Sequence, residues 1–154
     1  MDNQRIQITK QGLAALQAEL TLLVSVKRPK AVSRLEYARE QGDITENSDY
    51  SNAKDELEFL DGRIDELEHV IDNAQVVSIS NGNREVAFGT RVTVKIDSSE
   101  HVFEIVGEWE ADPLKQKISH ESPLGKALLG KKVGELVEVE APVGKITYKI
   151  VNIS

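Results

Sequence analysis

YSNAKDELEFLDGRIDELEHVIDNA, residues 50–74, sets Tyr50, Ala53, Leu57, Leu60, Ile64, Leu67, Ile71 and Ala74 at alternating intervals of three and four. An apolar seam with that period belongs to a helix packed lengthwise on a partner helix. Asp55, Glu56, Glu58, Asp61, Asp65, Glu66 and Glu68 occupy its other faces. The partner lies upstream, where Leu13, Leu16, Leu20, Val24, Ala31, Leu35 and Ala38 form a second seam. That seam falters at Arg28, beside Pro29. A proline cannot donate to the helix and its ring crowds the carbonyl four residues back, so a kink or register adjustment is expected there. The two seams run toward one break, Gln41-Gly42-Asp43-Ile44-Thr45, where Gly42 can take the left-handed conformation that ends a helix. So short a connection makes the helices antiparallel. Arms of about 28 residues project about 40 Å at 1.5 Å per residue. Gly62, inside the second arm, weakens it by about 1 kcal/mol relative to alanine and leaves room for close approach of the other helix.

The texture changes near Gln75. Upstream there is one proline, Pro29, and three glycines, with a Leu, Ala, Glu and Lys content typical of long helices. Downstream the chain is rich in Val, Ile, Thr and Gly. Candidate strands are Val76–Ile79, Val86–Phe88, Arg91–Ile96, Val102–Val106, Leu136–Glu140 and Ile146–Ile153, with turns at Asn81-Gly82-Asn83 and Asp97-Ser98-Ser99. Pro123 to Leu129 reads as a short helix with Ser122 as N-cap and Gly130 as its stop. The division is therefore a helical hairpin over 1–75 and a small α+β domain over 76–154.

The whole chain bounds what these parts can be. It has 154 residues and a net charge of -7, which disfavours a stand-alone DNA binder because duplex binding draws on phosphate neutralisation. It has no cysteine, which removes disulfides, thiolate metal sites and thiol nucleophiles. No apolar run approaches a membrane helix, and the polar start, Met1-Asp2-Asn3-Gln4-Arg5, lacks a signal-peptide core. A cytoplasmic protein with no membrane partner is expected.

Chemistry concentrates between the arms, in Gly42-Asp43-Ile44-Thr45-Glu46-Asn47-Ser48-Asp49-Tyr50. Asp43 and Glu46 have the spacing of a capping box, with Asp43 as N-cap. They also have the chemistry to ligate a hard cation such as magnesium and to orient its water against a phosphodiester. The two readings are compatible. Two carboxylates are too few for a self-sufficient magnesium site, which takes six oxygens, so the other ligands must come from a partner. Residues 1–42 carry seven Lys and Arg against four Asp and Glu, and residues 43–75 carry two against eleven. Cross-hairpin pairing accounts for this pattern; alternatively, Arg39 and Lys54, flanking the tip, touch a phosphate backbone. Tyr50 is either a base-stacking platform or part of the seam. His69, His101 and His120 have no metal spacing. Ser122-Pro123-Leu124 reads as an exposed contact or a simple cap, and Trp109 as a partner anchor or a cover for the sheet.

The order and spacing of GDITENSDY at 42–50, DGRIDELE at 61–68, AQVV at 74–77, FGTRVTV at 88–94 and ISHESPLGKALLGKKVGE at 118–135 resemble bacterial transcript-cleavage factors of the GreA/GreB family over the full length, nearer the GreA type. The resemblance implies an N-terminal antiparallel coiled coil followed by an FKBP-like domain. It implies docking at the rim of the secondary channel of bacterial RNA polymerase, with Ser119, Ser122 and Pro123 in the docking segment. It places Asp43 and Glu46 at the polymerase's catalytic magnesium, with no cofactor bound by the chain alone. Arg39 and Lys54 map to positions that contact the 3′ end of backtracked RNA. No independent DNA binding is expected, and no catalysis by the chain alone. Ile44, Thr45 and Ser48-Asp49 depart from the usual tip but keep charge and shape. Two rivals are a Gre-fold inhibitor that plugs the channel without cleavage, and a prolyl isomerase or chaperone with a coiled-coil handle. The second would need an aromatic-lined pocket from three Phe, three Tyr and one Trp spread along the chain.

Overall fold

The computed structural model describes residues 4–42, 47–78 and 84–154. The chain forms two compact units, one built on Leu13–Ala74 and the other on Arg5–Gly12 with Gln75–Ser154. A helical hairpin is thus followed by a strand-rich domain with one short helix, an α+β architecture.

The first arm is helical from α1 (Lys10–Leu22) through a π-helical stretch (Leu23–Lys27) to α2 (Arg28–Glu40). The irregularity expected beside Pro29 is this π stretch, in which the Arg28 N–H donates to the Leu23 carbonyl, five residues back. The wide turn absorbs one extra residue, so the seam slips: Leu16, Leu23, Ala31 and Ala38 are buried, and Leu23 precedes Ala31 by eight residues rather than seven. Val24, which the heptad count places inside, is 45% exposed, while Leu23 is 5%.

The second arm, α3 (Ser48–Asp72), buries Ala53, Leu60, Ile64 and Leu67 as its periodicity predicts. At its last turn Val70 is buried and Ile71 only half so, and Ala74 has left the helix for a strand. The arms are antiparallel: Glu19 pairs with Arg63, Arg28 with Asp61 and Arg34 with Glu56, one number rising as the other falls. Gly62 does not serve close approach, since a Cβ there would meet nothing within 4 Å. At 1.5 Å per residue, the 25 residues of α3 span about 37 Å.

In the second unit, β1 (Ile6–Ile8) pairs with β2 (Ala74–Val76), and the Val77 N–H donates to the Ile8 carbonyl at 3.0 Å. The strand expected at Val76–Ile79 therefore lies earlier, and Ile79 and the Asn81–Asn83 turn fall outside the described residues. The main sheet has the order β5 (Lys117–Ser119), β4 (Ser99–Val106), β3 (Arg91–Ile96), β7 (Gly144–Ile153), β6 (Leu136–Ala141). All neighbours are antiparallel except β4 and β5. Val86–Phe88 is no strand: Val86 exchanges backbone hydrogen bonds only with Gly130 and Lys131. Alternation places Val92, Val94, Val137, Tyr148 and Ile150 on one buried side, joined by Ile105, Val86 and Leu128 of α4 (Pro123–Leu128). Each fully buried side chain of this size stabilises the fold by about 1.5–3 kcal/mol. Trp109 sits half-buried in the 3-10 turn Glu108–Glu110, whose Glu110 carboxylate accepts from the Thr9 N–H and hydroxyl and from the Gly107 N–H.

Candidate functional site: the hairpin tip and a docking segment

Toward the tip the hairpin's buried seam is made of small residues. Ala38 and Ala53 are both buried, and the register set by Arg34–Glu56 puts them level with each other. Arg39 and Lys54 each follow one of these alanines, about 100° further round their helices, and both are exposed. Tyr50 is half-buried at the start of α3, in keeping with its place in the seam.

Asp43 and Glu46 lie outside the described residues. The capping role assigned to Asp43, however, belongs to Asn47. The Asn47 Oδ1 accepts from the Tyr50 N–H at 3.2 Å, and its Nδ2 donates to the Ala38 carbonyl at 2.8 Å. One side chain thus satisfies an orphan donor of α3 and adds a second donor, beside the Gln41 N–H, to a carbonyl in the last turn of α2. The sequence signal was available, since Asn ranks among the best N-caps, but Asp43-x-x-Glu46 matched a stronger template. A second residue missed from sequence is Tyr37. It is 65% exposed and lines a groove of about 300 Å³ with Arg34, Gln41, Asn47, Asn52 and Glu56.

Ion pairs brace the shaft behind the tip. The Arg28 Nε lies 2.6 Å from Asp61, and this hydrogen bond holds the guanidinium above its ordinary value. Arg63 is raised likewise, first by its hydrogen bond to Glu19 and then by that to Glu66. A raised arginine value adds stability below the ordinary guanidinium range and loses it only as the pH rises through the folded value. These arginines therefore do not titrate near neutrality. Among the described residues no cluster of three or more His, Asp or Glu is arranged to hold a metal. Two oxygen donors at Asp43 and Glu46 suit magnesium in kind but fall short in number.

The docking segment named from sequence is well ordered chemically. The Ser122 Oγ accepts from the Gly125 N–H at 3.0 Å and donates to the Ser119 carbonyl at 2.6 Å. Ser119 Oγ accepts from the Glu121 N–H at 3.1 Å. Pro123 opens α4 and is exposed, and Gly130 closes the segment at φ 79°. A Cβ on Gly125 would sit 2.0 Å from the Ser119 carbonyl oxygen, so only glycine fits beneath that turn. His120 packs edge-on against Phe88, with ring centroids 5.2 Å apart.

Comparison with known proteins gives a consistent result over both units. The family described as "Transcription elongation factor, N-terminal" matches residues 6–76, and "Transcription elongation factor, GreA/GreB, C-term" matches residues 81–154. The chain is 47% identical over 149 residues to transcription elongation factor GreA of Lactococcus lactis subsp. cremoris (strain MG1363), covering 95% of this chain and 96% of that one. It is 45% identical to GreA of Bacillus subtilis (strain 168), with 96% and 95% covered. Among solved structures, the GreA factor homolog 1 (Gfh1) protein of Thermus thermophilus aligns over 98% of this chain and 99% of its own at 28% identity. Its TM-score is 0.47.

Proposed function

The chain belongs to the GreA/GreB family of transcription elongation factors, and from that premise we propose that it docks at the secondary channel of bacterial RNA polymerase and stimulates cleavage of backtracked RNA. The observation that carries this reading is the acidic pair Asp43 and Glu46 in the seven-residue connection between Glu40 and Ser48, the ends of two long antiparallel arms. A thin shaft suits delivery of a few groups into a deep cavity, and two carboxylates alone are too few to hold a magnesium ion. The chain alone is therefore not a nuclease.

Asp43 and Glu46 would supply two oxygens to a magnesium ion whose remaining ligands belong to the polymerase. A metal held there would supply an activated water for attack on the phosphodiester. Arg39 and Lys54, exposed on either arm behind the tip, neutralise phosphates near the RNA 3′ end. Tyr50, half-buried at the start of α3, offers its ring to the RNA as a base-stacking platform. Ser119, Ser122 and Pro123 hold the strand-rich unit on the channel rim.

The test is direct. Added with magnesium to a stalled, backtracked polymerase, the chain is expected to release short 3′ RNA fragments and to restore elongation, while leaving free RNA intact. Slowed elongation without fragments would establish a channel plug instead, and cleavage of free RNA would contradict the division of labour.

A further inference from the structure

We propose that Asn47 is a positioning residue for the reaction: by bonding to both arms at once, it fixes the two chain ends from which Asp43 and Glu46 reach the polymerase's metal. The inference rests on the cleavage reading above and names a further residue for it.

The Asn47 side chain does more than a helix cap requires. Its Oδ1 accepts from the Tyr50 N–H at 3.2 Å, and that bond is the whole of the capping role. Serine or aspartate would fill that role as well. Its Nδ2 donates to the Ala38 carbonyl at 2.8 Å, on the other arm. An amide carries an acceptor and a donor on one carbon. A carboxylate lacks the donor, and a serine hydroxyl is a single atom and one bond shorter.

No other side-chain hydrogen bond among the described residues links the arms so near the tip. The next, between Arg34 and Glu56, lies about 13 Å from Asn47 along α3 at 1.5 Å per residue. Both of its partners are exposed, so it contributes little. Between the two links the buried seam is Ala38 and Ala53, whose side chains bury little apolar area.

The bridge matters because of where the acids sit in the chain. Glu46 is bonded directly to Asn47, and Asp43 to Gly42, just past the end of α2. Asn47 is itself extended, with φ -89° and ψ 98°. One acid therefore departs from each arm, and the separation of their starting points follows the separation of the arm ends. Magnesium holds its oxygens at about 2.0–2.1 Å in near-octahedral geometry and tolerates little misplacement. A misplacement of about 1 Å costs as much as about a hundredfold in rate. A bond that clamps the arm ends thus matters more to the reaction than to the fold.

The test compares full-length wild type, Asn47→Ser and Asn47→Ala on a stalled, backtracked polymerase with magnesium. Serine keeps the cap and loses the bridge, and alanine loses both. Both variants are expected to cleave at least about tenfold more slowly at saturating factor, with the concentration for half-maximal cleavage unchanged. Asn47→Ala is expected to be the less stable of the two in thermal melts. A second readout needs no polymerase. The chain has no cysteine, so spin labels on Glu40→Cys and Ser51→Cys report only the distance between the arm ends. That distance is expected to be narrowly distributed with Asn47 in place and broader with Asn47→Ser. If wild type cleaves and Asn47→Ser cleaves at the wild-type rate, this inference is overturned and the cleavage reading stands. An unbroadened distance distribution with Asn47→Ser, or a defect seen only as weaker polymerase binding, also overturns it. If wild type releases no fragments, both are overturned.

Discussion

Asn47 ties the two arms together at the tip through two hydrogen bonds from one side chain, one to each arm. Asn47→Ala is expected to cost about 1 kcal/mol and to speed hydrogen exchange at the Tyr50 amide. Asn47→Asp should recover the cap to Tyr50 but not the donor to Ala38, and so fall between the two. Equal stability of all three would refute the assignment. Gly125 offers a sharper case. The Ser119 carbonyl oxygen occupies the place of its missing Cβ, and Ser119 is itself held by Ser122. Gly125→Ala is expected to destabilise the strand-rich unit by about 1–3 kcal/mol in chemical denaturation, the usual scale of overpacking. An unchanged midpoint would show that the turn yields freely. The Asn47 cap was legible as a residue type but was overshadowed by the stronger template Asp43-x-x-Glu46, and no sequence pattern reports that a carbonyl lies under a glycine.

At the scale of elements, the seams were legible because burial along a helix repeats. Ala53, Leu60, Ile64 and Leu67 are inside as their spacing requires. The register on the first arm was only half legible. Pro29 announced a disturbance, but whether the backbone would kink or take up a residue depends on which side chains the other arm can receive. It takes up a residue, and Leu23 replaces Val24 inside. Strand Arg91–Ile96 has the bounds read from its alternation. β1 and β5 were invisible, being three residues each and fixed by partners far away in the chain or by parallel pairing. Gly62 is exposed in mid-helix with open space around its Cα. Gly62→Ala is therefore expected to raise the stability of the hairpin by about 1 kcal/mol, seen as a higher melting temperature of the full chain. A lower melting temperature would mean that the glycine is needed for a contact.

At the scale of the molecule, a hairpin built on an inward apolar seam offers its acidic pair to chemistry where the arms meet. Family membership supplies the partner, and the exposed Arg39 and Lys54 fit the same reading. The central claim is that Asp43 and Glu46 act in the polymerase's reaction centre while other residues hold the chain there. The measurement that tests it most directly is RNA release from a backtracked complex by Asp43→Asn and Glu46→Gln chains, with polymerase binding measured in parallel. The predicted result is undiminished binding with cleavage reduced by at least about a hundredfold, the scale of losing a group that acts only in the transition state. Wild-type cleavage rates from the doubly substituted chain would contradict it.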